Sequence, residues 1–158
     1  MSRLDSMLRR FTAQRDGLNW AAERVADMPG DALDMGLGNG RTYDHMREIM
    51  PDRRIWVMDR ILQCHHSCVP PEEDFLMGEA EDSLARLAGM GAKIVLSHYD
   101  FGFGVKEKDV EEAARFSPLI AKVMAKGGVI VSGQPLVGFA ALQGPAHIAP
   151  DRYYFYEA

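Results

Sequence analysis

The sequence predicts an α/β fold, a doubly wound and mostly parallel sheet of about six or seven strands with helices on both faces. Short apolar segments such as residues 32–35 alternate along the chain with longer amphipathic segments such as residues 83–90. Strands separated by helices pair in parallel, because each helix returns the chain to the starting edge of the sheet. A chain of 158 residues suits one compact domain, residues 1–158.

The N-terminal residues 1–30 predict a helical cap on a core formed by residues 31–158. Pro29 and Gly30 end this cap. Apolar side chains recur within it at helical spacing, before and after Asp16 and Gly17, at Leu4, Met7, Leu8, Phe11, Leu18, Ala21, Ala22 and Val25.

The core is predicted to alternate between strands and helices. A helix over residues 109–126 is expected to break at Ser117 and Pro118, where serine can cap one helix and proline can begin the next. Gly127 and Gly128 are expected to end it. The strands are predicted at residues 32–35, 54–59, 74–77, 92–97 and 129–132, with two short strands at 136–142 and 153–156.

The composition is that of an ordinary globular protein, with 47% apolar and 26% charged residues. The net charge of −5 argues against a large nucleic-acid surface, although Arg9, Arg10, Arg53 and Arg54 are where a local basic patch would be sought. No apolar run has the length of a membrane span, and the N-terminus has no apolar signal core. Since two cysteines are too few for a disulfide framework, we expect a cytoplasmic protein.

A glycine-rich turn follows the first predicted strand. Asp34 lies near the end of that strand, two residues before Gly36, and Gly36, Gly38 and Gly40 alternate after it. In a doubly wound sheet, ligands bind beyond the carboxyl ends of the strands. Three alternating glycines are more than a tight turn needs, so they indicate that a ligand approaches the main chain closely.

Two common nucleotide-binding turns fit this segment less well. A dinucleotide turn has the spacing Gly-x-Gly-x-x-Gly, and Arg41 occupies the third glycine position here. A phosphate-binding P-loop would end in Gly-Lys-Ser/Thr, which is absent. The carboxylate of Asp34 is unfavourable beside a pyrophosphate and suits a ligand that carries an ammonium group.

The segment Asp34-x-Gly36-x-Gly38-x-Gly40 resembles the first motif of the class I, Rossmann-like S-adenosylmethionine-dependent methyltransferases. The resemblance covers residues 32–132. It implies methyl transfer with S-adenosyl-L-methionine as the cofactor. Later positions agree in order: an acid ends the second strand, a Gly-Glu-Ala segment follows the third, and a small polar residue ends the fourth, namely Asp59, Gly78, Glu79, Ala80 and Ser97.

The resemblance also implies roles for the matching residues. Asp59 would accept both ribose hydroxyls, with Arg60 beside it. Glu79 and Ala80 would frame the adenine, and Ser97 would line the cofactor. The methionine part would be held by Asp34 and by the turn residues Gly36, Leu37, Gly38, Asn39, Gly40 and Thr42.

His98 and Asp100 are the candidate catalytic residues, because the segment after the fourth strand is expected to face the same crevice. His98 could take a proton near neutral pH, and Asp100 could orient it or act itself. The alternative is that His98 only packs or forms hydrogen bonds at a strand end. The segment lacks the Asn/Asp-Pro-Pro-Tyr/Phe and Pro-Cys patterns of many enzymes that methylate nitrogens or pyrimidine carbon.

The cysteine pair lies in a segment of zinc-ligand side chains, Cys64, His65, His66 and Cys68. Adjacent histidines would point in different directions on a helix, and no second pair of ligands exists elsewhere. We therefore predict no metal site.

The size of the chain bears on the methyl acceptor. The cofactor fold uses nearly the whole chain, so only the cap and residues 101–108 remain to cover a substrate. We expect a small-molecule acceptor, no nucleic-acid or membrane partner, and a homo-oligomer in which a neighbouring subunit completes the pocket. Three interpretations stay open beside that of a small-molecule methyltransferase: an inactive cofactor-binding module, a nucleic-acid methyltransferase and a nicotinamide oxidoreductase.

Overall fold

The computed structural model describes residues 1–158 and contains one seven-stranded sheet and four α-helices. The helices are α1 (Arg3–Arg24), α2 (Arg41–Ile49), α3 (Ala80–Gly89) and α4 (Lys106–Ala121). The strands are β1 (Asp31–Met35), β2 (Ile55–Asp59), β3 (Phe75–Met77), β4 (Ile94–Tyr99), β5 (Met124–Ser132), β6 (Ala140–Ala141) and β7 (Tyr154–Glu157). Two short 3-10 turns, His66–Cys68 and Glu72–Asp74, lie between β2 and β3.

The strand order is β3-β2-β1-β4-β5-β7-β6, and the five strands β1 to β5 are parallel. Strand β7 is antiparallel to both of its neighbours. The predicted doubly wound, mostly parallel sheet is therefore confirmed. The order reverses direction between β1 and β4, and a crevice opens at such a place beyond the carboxyl ends of the strands.

Each face of the sheet buries its own apolar cluster, because successive strand residues point to opposite faces. Ala32 of β1 packs with apolar residues of α1 and α2, whereas Leu33 packs with residues of α3 and α4. None of the four helices combines the length and apolar character that a bilayer-crossing helix requires.

Helix α1 runs without interruption through Asp16 and Gly17. Ser2 and Asp5 form a capping box at its start. A Cβ atom on Gly17 would lie 2.9 Å from the ring of Phe155 in β7. The missing side chain therefore lets α1 approach the sheet closely, which brings the N-terminal half of α1 over the crevice.

The predicted helix break at Ser117 and Pro118 is wrong, because α4 continues through both residues. The Ser117 hydroxyl donates to the carbonyl oxygen of Ala113 (2.8 Å) and accepts from the main-chain N–H of Val137 (3.0 Å). The serine side chain is therefore used inside the helix and in a contact with the segment after β5, not as a cap.

The predicted end of that helix at Gly127 and Gly128 is also wrong, since both glycines lie inside β5. Gly127 has φ +79°, and its N–H donates to Ala158 (2.8 Å) beside a register irregularity. Strand β5 therefore begins at Met124, which pairs with Ile94 of β4.

Candidate functional site

The glycine turn, residues 36–40, leaves β1 at the carboxyl edge of the sheet. Gly36, Gly38 and Gly40 have φ values of +100°, +49° and +84°, which side chains rarely tolerate. A Cβ on Gly36 would lie 3.3 Å from the carbonyl oxygen of Asp100, whereas a Cβ on Gly38 would meet no atom within 4 Å. Gly36 thus allows close contact with the segment after β4, and the main chain at Gly38 is open to a ligand.

Gly40 serves a different purpose, since it is packed under the segment 64–68. A Cβ on Gly40 would overlap the Cβ of Cys68 and lie 3.1 Å from the Cβ of Cys64. The His65 N–H also donates to the carbonyl oxygen of Asn39 (3.2 Å). The segment 64–68 therefore packs against the glycine turn at Gly40 and forms a hydrogen bond with it. The sequence contains no sign of this contact.

Gly40→Ala is expected to lower the free energy of unfolding by about 2–4 kcal/mol, because it combines left-handed strain with overpacking. Chemical denaturation measures the change. Gly89→Ala is the matched control, since Gly89 lies in α3 with no atom near its missing Cβ. Equal stabilities of the two variants would contradict the packing of the segment 64–68 on Gly40.

Asp59 is fixed at the end of β2 beside the glycine turn. Its Oδ2 accepts the Gly38 N–H (3.0 Å), and its Oδ1 accepts the Arg60 N–H (2.7 Å). The Arg60 guanidinium pairs with Glu79 (3.3 Å), but both side chains are 61% exposed, so this ion pair contributes little stability.

Two cavities adjoin at Asp59, Phe101 and Gly102. The Glu79 cavity, about 290 Å³, lies between β2, β3 and α4, and its lining residues are Met58, Asp59, Arg60, Gly78, Glu79, Ala80, Phe101, Gly102, Phe103, Glu112, Arg115 and Phe116. The glycine-turn cavity, about 480 Å³, extends under α1, and its lining residues are Met7, Arg10, Phe11, Gln14, Gly36, Leu37, Gly38, Asn39, Arg41, Thr42, Asp59, Asp100, Phe101 and Gly102. Their sizes are near or within the range typical of ligand pockets, about 300–1,000 Å³.

Most of the residues predicted to bind the cofactor line one of these two cavities, namely Gly36, Leu37, Gly38, Asn39, Thr42, Asp59, Arg60, Glu79 and Ala80. Asp34, Gly40 and Ser97 line neither. The expected position of Ser97 at the end of the fourth strand is wrong, because β4 continues to Tyr99 and Ser97 lies inside the strand. It is fully buried beside Leu33, and its hydroxyl has no hydrogen-bond partner.

Asp34 belongs to a buried chain of polar side chains beneath the crevice. Its Oδ1 is 3.0 Å from His98 Nδ1, and His98 Nε2 is 3.0 Å from the Tyr153 hydroxyl. The side chains of Asp34 and His98 have no exposed surface, and Asp34 Oδ2 has no partner. Burial raises the pKa of Asp34, whereas the hydrogen bond from His98 lowers it.

This arrangement changes the predicted role of His98. An ionised Asp34 only accepts hydrogen bonds, so it holds the proton on Nδ1, and Nε2 accepts from Tyr153. Burial raises the pKa of Tyr153 well above its usual value, which keeps that hydroxyl protonated. With both nitrogens engaged and the ring buried, His98 does not reach a substrate in the crevice.

Asp100 is not the partner of His98, contrary to one of its two expected roles. Its carboxylate accepts two hydrogen bonds from Arg10 Nη2 (2.8 and 2.9 Å) and one from Gln14 Nε2 (3.1 Å). Arg10 and Gln14 were missed as site residues, although their spacing of one helical turn places them on the same face of α1.

A third cavity, about 290 Å³, lies between α1, the start of α4 and the end of β5. We call it the Gln134 cavity. It meets the glycine-turn cavity at Arg10, Asp100, Phe101 and Gly102. Its other lining residues are Gly104, Asp109, Gly133, Gln134, Arg152 and Tyr153.

The four arginines considered as a basic patch are not together. Arg10 lies at the crevice with Asp100, whereas Arg53 donates to the carbonyl oxygens of Val25 and Met28 at the far end of α1. Arg54 pairs with Asp74 and lies over the ring of Trp56. Two of the four therefore have structural contacts at the opposite edge of the sheet.

Comparison with known proteins gives strong similarity over the whole chain. A sequence profile described as S-adenosyl-L-methionine methyltransferase matches residues 1–158. The crystal structure of an S-adenosyl-L-methionine methyltransferase from Silicibacter pomeroyi DSS-3 is 35% identical, with a TM-score of 0.93 over 99% of this chain and 98% of that one. A search of curated proteins found no match.

More distant structures share the fold. Human methyltransferase-like protein 13, solved with SAH, is 12% identical with a TM-score of 0.55 over 94% of this chain and 79% of its own. The MycE methyltransferase of the mycinamycin pathway, solved with Mg and SAH, is 15% identical with a TM-score of 0.54 over 99% of this chain and 48% of its own.

Proposed function

The chain belongs to the S-adenosyl-L-methionine methyltransferase family, and we propose that it transfers a methyl group to a small polar molecule bound in the Gln134 cavity. S-adenosyl-L-methionine is the cofactor of this family and supplies an activated methyl group when bound. The observation that carries the proposal is the position of the Gln134 cavity, which adjoins the glycine-turn cavity at Arg10 and Asp100.

The residues of the crevice fit this cofactor. The open space over Gly38 allows a ligand to contact the main chain, and Asp59 presents a carboxylate fixed by two main-chain N–H groups. We propose that Asp59 accepts the ribose hydroxyls and that Glu79 and Ala80 frame the adenine. Arg60 would border the adenine from the side of Glu79, with which it pairs.

The dimensions and lining of the Gln134 cavity favour a small polar acceptor. At about 290 Å³ it lies just below the usual range for ligand sites, about 300–1,000 Å³. Two carboxylates, Asp100 and Asp109, line it beside Arg10 and Arg152, so the charges of the lining side chains balance. A polyanion such as nucleic acid would be repelled by the carboxylates and would gain little from a balanced surface.

The chain mainly has to position the acceptor, because the leaving group of the methyl donor is already activated. Tyr153 stays protonated, since burial raises its pKa, and therefore cannot serve as a base. A proton lost by the acceptor would pass to water or to a carboxylate of the cavity. Asp109 is held in place by the Phe103 N–H (2.6 Å) and is one such carboxylate.

Transfer of a labelled methyl group to a panel of small amines, carboxylic acids, amino acids and hydroxylated compounds tests the proposal, with transfer RNA and duplex DNA in parallel. For the best acceptor, Gln134→Leu is expected to reduce transfer roughly tenfold or more through loss of a polar contact, with cofactor affinity unchanged. Gln143→Leu is the matched control, because Gln143 is exposed and borders none of the three cavities.

Two results would contradict this function. Transfer to RNA or DNA without transfer to any small molecule would indicate a nucleic-acid methyltransferase. Tight binding of S-adenosyl-L-methionine without transfer to any acceptor would indicate a binding module that lacks chemistry.

A further inference from the structure

We infer that Arg10 and Asp100 together bind the methionine end of S-adenosyl-L-methionine, with Arg10 binding its carboxylate and Asp100 its ammonium group. The inference rests on the proposed function for the identity of the ligand. It assigns to Asp100 the role that the sequence suggested for Asp34, and it makes α1 part of the cofactor site.

The position of the ion pair is the first observation. Arg10 and Asp100 line the glycine-turn cavity where it meets the Gln134 cavity, whereas Asp59 lies where it meets the Glu79 cavity. The Asp100 N–H donates to the carbonyl oxygen of Met35 (3.0 Å), so Asp100 is fixed beside the glycine turn. A ligand with its ribose on Asp59 and its methyl group toward the acceptor would place its amino-acid end near this pair.

Both side chains retain unused hydrogen-bonding capacity. Arg10 bonds to Asp100 through Nη2 alone, so its Nη1 and Nε make no hydrogen bond in the protein. Its side chain is 50% exposed, and that of Asp100 is 24% exposed. Because a guanidinium has five N–H donors and a carboxylate about four acceptor sites, the pair can stay intact while each member binds one more group.

The chemistry of the pair matches a zwitterion. An amino acid's carboxylate and ammonium groups lie one carbon apart, and a joined arginine and carboxylate offer the complementary charges at comparable spacing. Gln14, which is nearly buried, donates to Asp100 Oδ2 and holds the carboxylate in orientation. The binding groups are therefore preorganised, which reduces the ordering cost on binding.

The other charged groups near the turn are less suitable. Asp34 is fully buried, and its Oδ1 is bonded to His98, so it does not face the cavity. Arg41 lines the same cavity, but its guanidinium lies over the ring of Phe11 (5.4 Å) and has no carboxylate partner. Arg41 therefore provides a matched control of equal charge in the same cavity.

Binding calorimetry with three probes tests the inference without reference to catalysis: S-adenosyl-L-methionine, its decarboxylated analogue and 5′-methylthioadenosine, which lacks both charged groups. The natural chain is expected to prefer S-adenosyl-L-methionine to the decarboxylated analogue by roughly tenfold or more, as for one charge-assisted hydrogen-bonded contact. Arg10→Gln should abolish this preference and leave affinity for the decarboxylated analogue unchanged or higher. Arg41→Gln should retain the preference.

Asp100→Asn separates the ammonium contact from the carboxylate contact. It is expected to weaken the binding of S-adenosyl-L-methionine and of the decarboxylated analogue by roughly tenfold each, because both ligands carry the amine. Its affinity for 5′-methylthioadenosine should not change. Thermal melting of each variant shows that it is folded.

Three outcomes would overturn the inference. The natural chain could bind S-adenosyl-L-methionine no more tightly than the decarboxylated analogue, or Arg41→Gln could lose this preference while Arg10→Gln keeps it. The third is that Arg10→Gln weakens the binding of all three probes equally. The last would mean that Arg10 only holds α1 in place. If the proposed function failed instead, the three probes would still bind with the expected relative affinities, but no acceptor would be methylated.

Discussion

Replacing His98 with leucine is expected to lower the free energy of unfolding by about 3–5 kcal/mol at neutral pH, the usual cost of leaving a buried charge without its partner. Asp34 would lose the hydrogen bond at its Oδ1, and its Oδ2 already has no partner. The Tyr153 hydroxyl would lose its bond to Nε2 as well. Urea denaturation followed by circular dichroism measures this change.

The destabilisation should depend on pH in a defined direction. Burial raises the pKa of Asp34 above its ordinary 3.8, and the bond from His98 opposes that rise. A raised pKa means that the protonated carboxyl stabilises the folded state below the unfolded pKa, and that this contribution is lost as the pH rises through the folded pKa. Because the leucine variant removes the opposing bond, its deficit should be smaller near pH 4 than near pH 7.

Two further variants make the prediction specific. Asp34→Leu combined with His98→Leu should be more stable than His98→Leu alone, because no charge remains buried. His66→Leu should be nearly neutral, since His66 is exposed. If His98→Leu and the double variant were equally stable at every pH, the buried Asp34–His98 pair would not have the electrostatic role described above.

Asp59→Ala is expected to weaken the binding of S-adenosyl-L-methionine roughly a hundredfold or more, because two hydrogen bonds from ribose hydroxyls to a carboxylate are worth about 1.5–3 kcal/mol each. The variant would also release the Gly38 and Arg60 N–H groups that Asp59 now orients. Calorimetric titration gives the dissociation constant directly.

The control for this variant is Asp52→Ala, which removes an exposed carboxylate from the turn before β2, at the opposite edge of the sheet. Its affinity for S-adenosyl-L-methionine should equal that of the natural chain. If Asp59→Ala bound S-adenosyl-L-methionine as tightly as the natural chain, the proposal that Asp59 accepts the ribose hydroxyls would be contradicted.

The predictions from the sequence succeeded where the signal was local. Strands β1, β2 and β3 were predicted within one residue at each end, because buried strands are short apolar runs bounded by turn residues. Strand β5 and the end of α4 were mispredicted, because Gly127 and Gly128 resemble a helix stop in isolation. Only the pairing of Met124 with Ile94 and of Gly127 with Ala158 makes that segment a strand.

The same distinction between local signals and tertiary contacts applies to the predicted site residues. Gly36 and Gly38 were predicted to bind the cofactor, and both line the glycine-turn cavity. The sequence could point to them because a turn that needs positive φ leaves glycines in the sequence. Ser97 was misplaced because the end of β4 was set two residues too early. No pattern in the sequence links the segment 64–68 to Gly40, because that contact depends on how the loop after β2 folds back.

The alternation of short strands with amphipathic helices determined the fold class from the sequence alone, and the glycine turn with the acids that follow the strands indicated the methyl donor through their resemblance to a known family. Each of these is a short-range feature of the chain. Which acid meets which group was decided only by the tertiary structure. Asp34 pairs with His98, 64 residues away, and Asp100 with Arg10, 90 residues away. Packing of α1 and of neighbouring strands brings these partners together, and it buries one carboxylate while leaving the other at the crevice.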